Sequence, residues 1–321
     1  MDFNLTEEQQ MIQQAARDFA QAELLEGVIE RDNEQKFPYD AVKKMGEMGF
    51  LGMMVDPKYG GAGLDSVSYV LAMEEIAKID ASAAVVMSVN NSLVCAGLEK
   101  FCNEEQKMKY LKPLASGEVI GAFALSEPEA GSDATSQSTT AEDKGDYYLL
   151  NGTKNWITNG GNATYYVVIA QTDPEKKHKG INAFIVEKGW EGFVVGKKED
   201  KLGIRGSDTH SLMFTDVKVP KENRIGEDGF GFAFAMAVLN GGRIGIASQA
   251  LGIASGAYEL SLKYAKERKS FGTEIINHQA IAFKLADMHV SIMAARMLIY
   301  KAAAEKDEGK DISESGAMAK L

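Results

Sequence analysis

The chain has 321 residues, 45% hydrophobic and 25% charged, which fits a globular protein of two or three domains and excludes disorder along its whole length. Thirty-five Lys and Arg against 46 Asp and Glu give a net charge of −11, which argues against nucleic acid and anionic membranes as partners. A local basic site could still hold a phosphorylated small molecule. Cys95 and Cys102 lie seven residues apart in a helical pattern, too far for a disulfide, and read as buried free thiols. No apolar run is expected to reach the roughly 18 residues of a membrane span. Residues 1–30 mix acids and glutamines, so neither a signal nor a transit peptide is expected, and a cytoplasmic location follows.

The first third reads as helix. Thr6 and Gln9 have capping-box spacing, and Met11, Ala15 and Phe19 then recur every four residues as the expected buried face. Pro38 and Asp40 open a second helix with Val42 and Met45 inward. Tyr59-Gly60-Gly61-Ala62-Gly63 is a glycine loop rather than a dinucleotide fingerprint, and it precedes a helix containing Val70, Leu71 and Ile76. Asn103 and Gln106 cap a further helix, expected to stop at Pro113.

The pattern changes near residue 119. Apolar, β-branched or aromatic runs at 119–125, 147–150, 165–170, 181–186 and 212–219 are separated by Asn-Gly, Asn-Gly-Gly and Asp-Pro turn signals. Short connections predict an antiparallel arrangement. Residues 174–180, with His178, read as an exposed charged loop. Helix returns after Gly229. Ile246, Ala250, Ile253, Ala257, Leu260 and Tyr264 alternate four- and three-residue steps, as do Ile281, Leu285, Met288, Ile292, Ala295 and Ile299. Ser313 and Glu314 signal a third helix, and two stripes with a stub predict an incomplete bundle, truncated at Leu321 or completed from elsewhere. The boundaries expected are 1–118 helical, 119–224 β and 225–321 helical.

Standard catalytic constellations are absent. His178, His210, His278 and His289 are scattered, with no HExxH and no Cys/His cluster, so no metal is expected. There is no GxSxG elbow and no P-loop. The densest polar, glycine-bearing segment is 125–133, whose hydroxyls and backbone N–H groups could hold an anionic or carbonyl edge of a ligand, or form a plain structural turn.

That segment carries a resemblance. Phe123-Ala124-Leu125-Ser126-Glu127-Pro128-Glu129-Ala130-Gly131-Ser132-Asp133 resembles the first signature of the acyl-CoA dehydrogenases, and Lys154-Asn155-Trp156-Ile157-Thr158-Asn159-Gly160 resembles their flavin-facing strand. Lys201-Leu202-Gly203-Ile204-Arg205-Gly206-Ser207, Asp216-Val217-Lys218-Val219-Pro220, Gly242-Arg243-Ile244-Gly245-Ile246-Ala247 and Arg268-Lys269-Ser270-Phe271-Gly272, with Gln279 following, match in order. The stretch 87–93 and the run around Arg243 look most like short-chain, butyryl-type members. The fold implied is α+β: an N-terminal helical domain, a middle β-barrel-like domain and a C-terminal helical bundle, here incomplete.

The resemblance implies a flavoprotein of fatty-acid β-oxidation that holds FAD. Phe123, Leu125 and Ser126 match positions lining the isoalloxazine. Trp156, Ile157 and Thr158 match its other wall, with the Thr158 hydroxyl near N5. Ser132 matches a residue touching both the flavin and the CoA side. Arg268, Phe271 and Gln279 match residues reaching a neighbouring subunit's FAD, which implies a homotetramer built as a dimer of dimers. Asn240 and Arg243 match acyl-CoA contacts at the start of the first long helix. Short-chain members usually carry Asp where Asn240 stands, and a helix-capping Asn is the plainer reading.

The reaction implied is α,β-dehydrogenation of an acyl-CoA to the trans-2-enoyl-CoA, with electrons leaving to an electron-transferring flavoprotein near Trp156. It needs a carboxylate to take the α-proton. The family's usual Tyr-Glu-Gly-Thr motif does not occur in these 321 residues, and Gly242 stands where other branches place a Glu. Glu127 matches a structural position. No catalytic residue is therefore assigned, and little dehydrogenation is expected of a truncated chain. The alternatives are an oxidase-like acyl-CoA enzyme and a non-catalytic acyl-CoA-binding scaffold.

Overall fold

The computed structural model describes residues 4–321. The helices are α1 Glu7–Phe19, α2 Val28–Asn33, α3 Tyr39–Glu47, α4 Ser66–Ile79, α5 Ala81–Ser88, α6 Ala96–Phe101, α7 Glu104–Gln106, α8 Lys112–Ala115, α9 Gly231–Glu267, α10 Gln279–Asp307 and α11 Ser313–Lys320. The strands are β1 Gly121–Ala124, β2 Thr140–Asp143, β3 Tyr147–Thr158, β4 Tyr165–Gln171, β5 Ile181–Glu187, β6 Phe193–Lys198, β7 Thr209–Pro220, β8 Arg224–Ile225, β9 Lys269–Ser270 and β10 Thr273–Glu274. Two compact units result. One gathers the chain up to Val28, Asp65–Ala84 and Arg243–Leu321; the other holds Ile29–Leu64 and Val85–Gly242.

The first unit is helical. Thr6 and Gln9 form the expected capping box, each side chain accepting the other's backbone N–H at 3.1 Å. The buried face of α1 is Ala16, Phe19 and the following Ala20, whereas Met11 is exposed. A strict four-residue row drifts around a helix of 3.6 residues per turn, so the face against α4 is not the one counted by fours.

The stripe expected on α9 is also corrected. Ile253, Leu260 and Tyr264 are exposed, Leu260 at 71%, and the buried side is Ile244, Ser248, Leu251, Gly252, Ser255 and Gly256. A Cβ on Gly252 would lie 2.5 Å from the Glu74 carbonyl oxygen, and one on Gly256 2.5 Å from that of Lys78. The two backbones approach too closely for side chains, so small residues face inward. On α10, Leu285, Ile292 and Ile299 are buried as expected, but Met288 is exposed.

The second unit is built on an eight-stranded sheet, ordered β6-β7-β3-β2-β4-β5-β8 with β1 added on β4. β1 runs parallel to β4, and β2 meets β4 in parallel, so the expectation of an antiparallel sheet holds only for the remaining pairs. Short β2 and β8 carry no strong apolar signal, whereas β6, missed in the sequence, opens on the apolar run Phe193-Val194-Val195. β4 and β5 are buried on both faces. Tyr166, Val168, Phe184 and Val186 join one core, and Val167, Ile169, Ala183 and Ile185 join the other, with Leu98, Tyr110 and Phe234. Continuous apolar strands follow from having both faces covered.

Two further expectations change here. The helical run does not stop at Pro113. It continues through a π-helical turn, Lys107–Leu111, into α8, where Pro113 sits in the first turn and its missing N–H is tolerated. Ala81–Phe101 is in fact long and apolar enough to cross a membrane, yet 78% of its apolar window is buried inside the protein. Asn90 and Asn91 interrupt the run. Their amides donate to the Leu51, Leu114 and Phe50 carbonyls at 2.8, 3.1 and 2.8 Å, so they work as core cross-links. Cys95 and Cys102 are buried free thiols, and burial pushes Cys102 up to about 12.

Candidate functional site

The segments that the sequence singled out meet where β1 runs into the 125–133 turn and passes beside the end of β3. Asn155 N donates to the Ser126 carbonyl at 2.9 Å, and Lys154 Nζ donates to the Leu125 carbonyl at 3.1 Å. Lys154 also donates to Glu127 Oε1 at 2.7 Å and to Gln137 Oε1, which uses all three ammonium protons. Both charged side chains are fully buried. Glu127 completes its shell with Ser138 N and Oγ, each 2.6 Å from Oε2, and with Thr139 N at 3.1 Å from Oε1.

Burial alone would raise the Glu127 carboxyl, but the Lys154 charge and the Ser138 donors outweigh it and hold it at about 2. Burial draws the Lys154 ammonium down to about 8, with Glu127 pulling the other way. The pair is therefore ionised at neutral pH. A carboxylate held so low and so fully bonded is a poor proton acceptor.

Beyond Lys154 the ladder between β3 and β7 is irregular up to Ile157. Trp156 occupies that irregularity with φ +57°, a left-handed conformation that a bulky residue adopts only where its surroundings enforce it. The residue is 59% exposed. Ile157 points the other way and is buried in the core, so only its main chain is left to face a ligand. Thr158 is half-buried opposite Thr209. The following turn is fixed by Asn159, whose side chain donates to the Gly121 carbonyl at 3.0 Å, and by Asp208 Oδ2, which accepts from Gly161 N at 2.6 Å.

The other expected residues fall as follows. Leu125 and Ser126 are half-buried beside Asn155; Phe123 is packed into the helix-side core; Ser132 is exposed in the turn. Asn240 lies well inside α9, which begins at Gly231, so the helix-capping reading of Asn240 is corrected. Arg243 follows one turn later, also half-buried. A Cβ on Gly242 would meet Leu93 Cδ2 at 2.6 Å, so a longer residue there would require the end of the Leu93 side chain to move.

In the helical unit Arg268 precedes a small hairpin with Phe271 at its tip, Gln279 opens α10, and all three are exposed. β9 and β10 pair, Ile275 N donates to the Arg268 carbonyl at 2.8 Å, and Phe271 sits at the tip with φ +51°. The His278 ring lies edge-on to Phe271 at 6.1 Å. Among the described residues no group of three or more His, Cys, Asp or Glu is placed to hold a metal.

Sequence reasoning missed the Lys154–Glu127–Gln137 cluster and the role of Asp208. One signal was available: Lys154 interrupts a strand whose alternation points it inward, and a buried lysine needs a partner.

Three family models match the chain: the acyl-CoA dehydrogenase N-terminal domain over residues 6–118, the middle domain over 122–217 and the C-terminal domain over 229–321. A short-chain specific acyl-CoA dehydrogenase of Clostridium acetobutylicum is 50% identical over 321 residues, all of this chain and 85% of the relative. The short-chain specific mitochondrial enzyme of Homo sapiens is 50% identical over 99% of this chain and 77% of its own. The butyryl-CoA dehydrogenase structure from Megasphaera elsdenii superposes with a TM-score of 0.98 at 48% identity, covering 99% of this chain and 84% of that one. A chain in the structure reported as the electron transferring flavoprotein of Acidaminococcus fermentans gives a TM-score of 0.98 at 52% identity, with 99% and 84% covered. Near-complete coverage by successive family models, together with the ordered motifs at 123–133, 154–160 and 242–247, places this chain in the acyl-CoA dehydrogenase family, a family of oxidoreductases.

Proposed function

We propose that this protein dehydrogenates a short-chain acyl-CoA to the trans-2-enoyl-CoA with FAD, and passes the electrons to an electron-transferring flavoprotein. The observation that carries the reading is 50% identity along the whole chain to enzymes specific for short acyl chains.

The residues present fit a flavin. An exposed indole face at Trp156, the hydroxyls of Ser126 and Thr158, and the main chain of Leu125 and Ile157 offer a flat apolar wall with hydrogen-bonding edges. FAD supplies the two-electron acceptor when bound. The work of the chain is to hold and orient. Trp156 and Thr158 wall the isoalloxazine, with the Thr158 hydroxyl aimed at the region that gains electron density. Leu125 and Ser126 bond its edge. Arg268 and Gln279, with Phe271 beside them, present donors to the adenosine and pyrophosphate of a cofactor held by a neighbouring subunit, in a homotetramer. Ser132, Asn240 and Arg243 hold the acyl-CoA. The preferred acyl chain is four to six carbons, and comparable turnover of palmitoyl and butyryl thioesters would sink that assignment.

The α-proton needs a carboxylate acceptor, and Glu127, committed to Lys154, does not supply one. Gly242 supplies no carboxylate either, and a second reading is that acyl-CoA binds without turnover. One titration separates the two. FAD-loaded protein is mixed anaerobically with butyryl-CoA. Bleaching of the visible flavin band that an electron-transferring flavoprotein then reverses supports dehydrogenation. A shifted band without bleaching supports binding alone, and rapid recolouring by oxygen supports an oxidase.

A further inference from the structure

We propose that Lys154 and Glu127 are positioning residues, which lock the Leu125–Ser126 edge and the Trp156–Thr158 wall into one preformed frame before any cofactor arrives. The inference rests on the flavin reading of that wall, and extends it to residues that line no wall themselves.

Three connections tie the 125–127 segment to β3, and all of them run through adjacent residues. Lys154 Nζ takes the Leu125 carbonyl, Asn155 N takes the Ser126 carbonyl, and the Lys154 ammonium takes the Glu127 carboxylate. The far side of Glu127 is bonded to Ser138 and Thr139, so the segment is held from both sides. Trp156 follows two residues after Lys154 in a left-handed conformation, inside the stretch where the β3–β7 register slips. That conformation costs free energy and persists only if its neighbours over-determine it. On the amino-terminal side the fixed neighbour is Lys154, anchored at all three protons. On the carboxyl-terminal side it is Asn159, bonded to Gly121. Burying two charges does not by itself favour folding over a well-packed apolar pair. The pair's distinctive contribution is directional: an ammonium fixes a carbonyl, a carboxylate and an amide at set angles, and an apolar pair would not.

Trp156 and Trp190 are the only tryptophans, so in a Trp190→Phe background the emission of Trp156 reads the wall with no flavin present. Glu127→Gln and Lys154→Met are then made singly and together. Each single change strands a buried charge. The double change removes both charges at similar volume, and should regain the parent's far-UV circular dichroism and most of its melting temperature. The expected result is a double variant that is folded yet has a shifted Trp156 emission in the FAD-free state and an FAD dissociation constant raised about tenfold or more, the scale of a lost charged hydrogen bond. Parent-like emission, with FAD affinity within about twofold of the parent, would show the pair to be a structural staple and overturn the proposal.

Hydrogen exchange on the unmutated FAD-free chain decides the matter even if the double variant fails to fold. Slow exchange in peptides covering 122–130 and 152–160 is expected, and rapid exchange there overturns a preformed frame. A parent chain that takes up no FAD would remove the flavin reading, while emission and exchange still report on the frame itself.

Discussion

Arg296 on α10 grips Glu74 on α4 with two nitrogens, Nη2 at 2.6 Å from Oε1 and Nε at 3.2 Å from Oε2. The Glu74 side chain is 1% exposed, and Ser255 Oγ on α9 donates to it at 3.1 Å, so one carboxylate ties three helices together. Beside it Glu75, also buried, is bonded by Arg17 and Lys78. This polar knot is what the small-residue side of α9 packs onto.

Removing the guanidinium should therefore leave a buried charge. Arg296→Met is expected to destabilise the fold by about 3 kcal/mol, the lower end for breaking a buried pair, because Lys78 Nζ remains 4.0 Å from Glu74. Denaturant unfolding measures this. A loss below about 1 kcal/mol, the scale of a surface pair, would show that Glu74 is solvated.

Gly252→Ala tests the close helix approach. Alanine is the better helix former by about 1 kcal/mol, yet its Cβ would lie 2.5 Å from the Glu74 carbonyl oxygen and 2.6 Å from Ala77 Cβ. Overpacking should win, with a net loss of about 1–3 kcal/mol read from the melting temperature. A stabilised variant would mean that α4 and α9 are further apart.

Acid should unfold the protein through two carboxylates. Burial raises the Glu75 carboxyl, but Arg17 and Lys78 outweigh it and leave it below its ordinary value, and Glu127 is held at about 2. Folded-state pKa values below the unfolded value of about 4.3 contribute stability that is present above that pH and lost as pH falls toward 2. Stability measured from about pH 6 to about pH 3 should drop, and the drop should be shallower in the Glu127→Gln, Lys154→Met double variant. Equal slopes in the two proteins would take Glu127 out of the linkage.

If Thr158 faces the flavin as proposed, Thr158→Ala removes a hydroxyl donor near developing charge and should slow reduction of bound flavin by butyryl-CoA about tenfold or more, without changing the circular dichroism. An unchanged reduction rate in a stopped-flow experiment would count against the placement of Thr158.

Arg268→Ala should weaken FAD retention about tenfold and oligomerisation with it, as expected for a charge-assisted contact to a neighbour's pyrophosphate. FAD still tightly held by a monomeric variant in sedimentation would refute the intersubunit assignment.

Much was legible in the residues themselves. The Thr6–Gln9 and Asn103–Gln106 capping boxes form as read, because a cap is decided by a side chain and a backbone N–H three residues apart. The runs at 165–170 and 181–186 are strands, and the ordered motifs from 123 to 279 carry the family likeness by themselves. Other features depended on which surfaces meet. Leu260 and Tyr264 carry the apolar period but face outward, because the side of α9 carrying Gly252 and Gly256 is the one that the α4 backbone approaches closely. β1 lies parallel to β4, a pairing across forty-odd residues that no local signal encodes. Lys154 and Glu127 read as two charges in two motifs. Only the tertiary structure put them 2.7 Å apart with both side chains fully buried, where burial turns two residue types that usually sit at the surface into a cross-link between the 125–127 segment and β3.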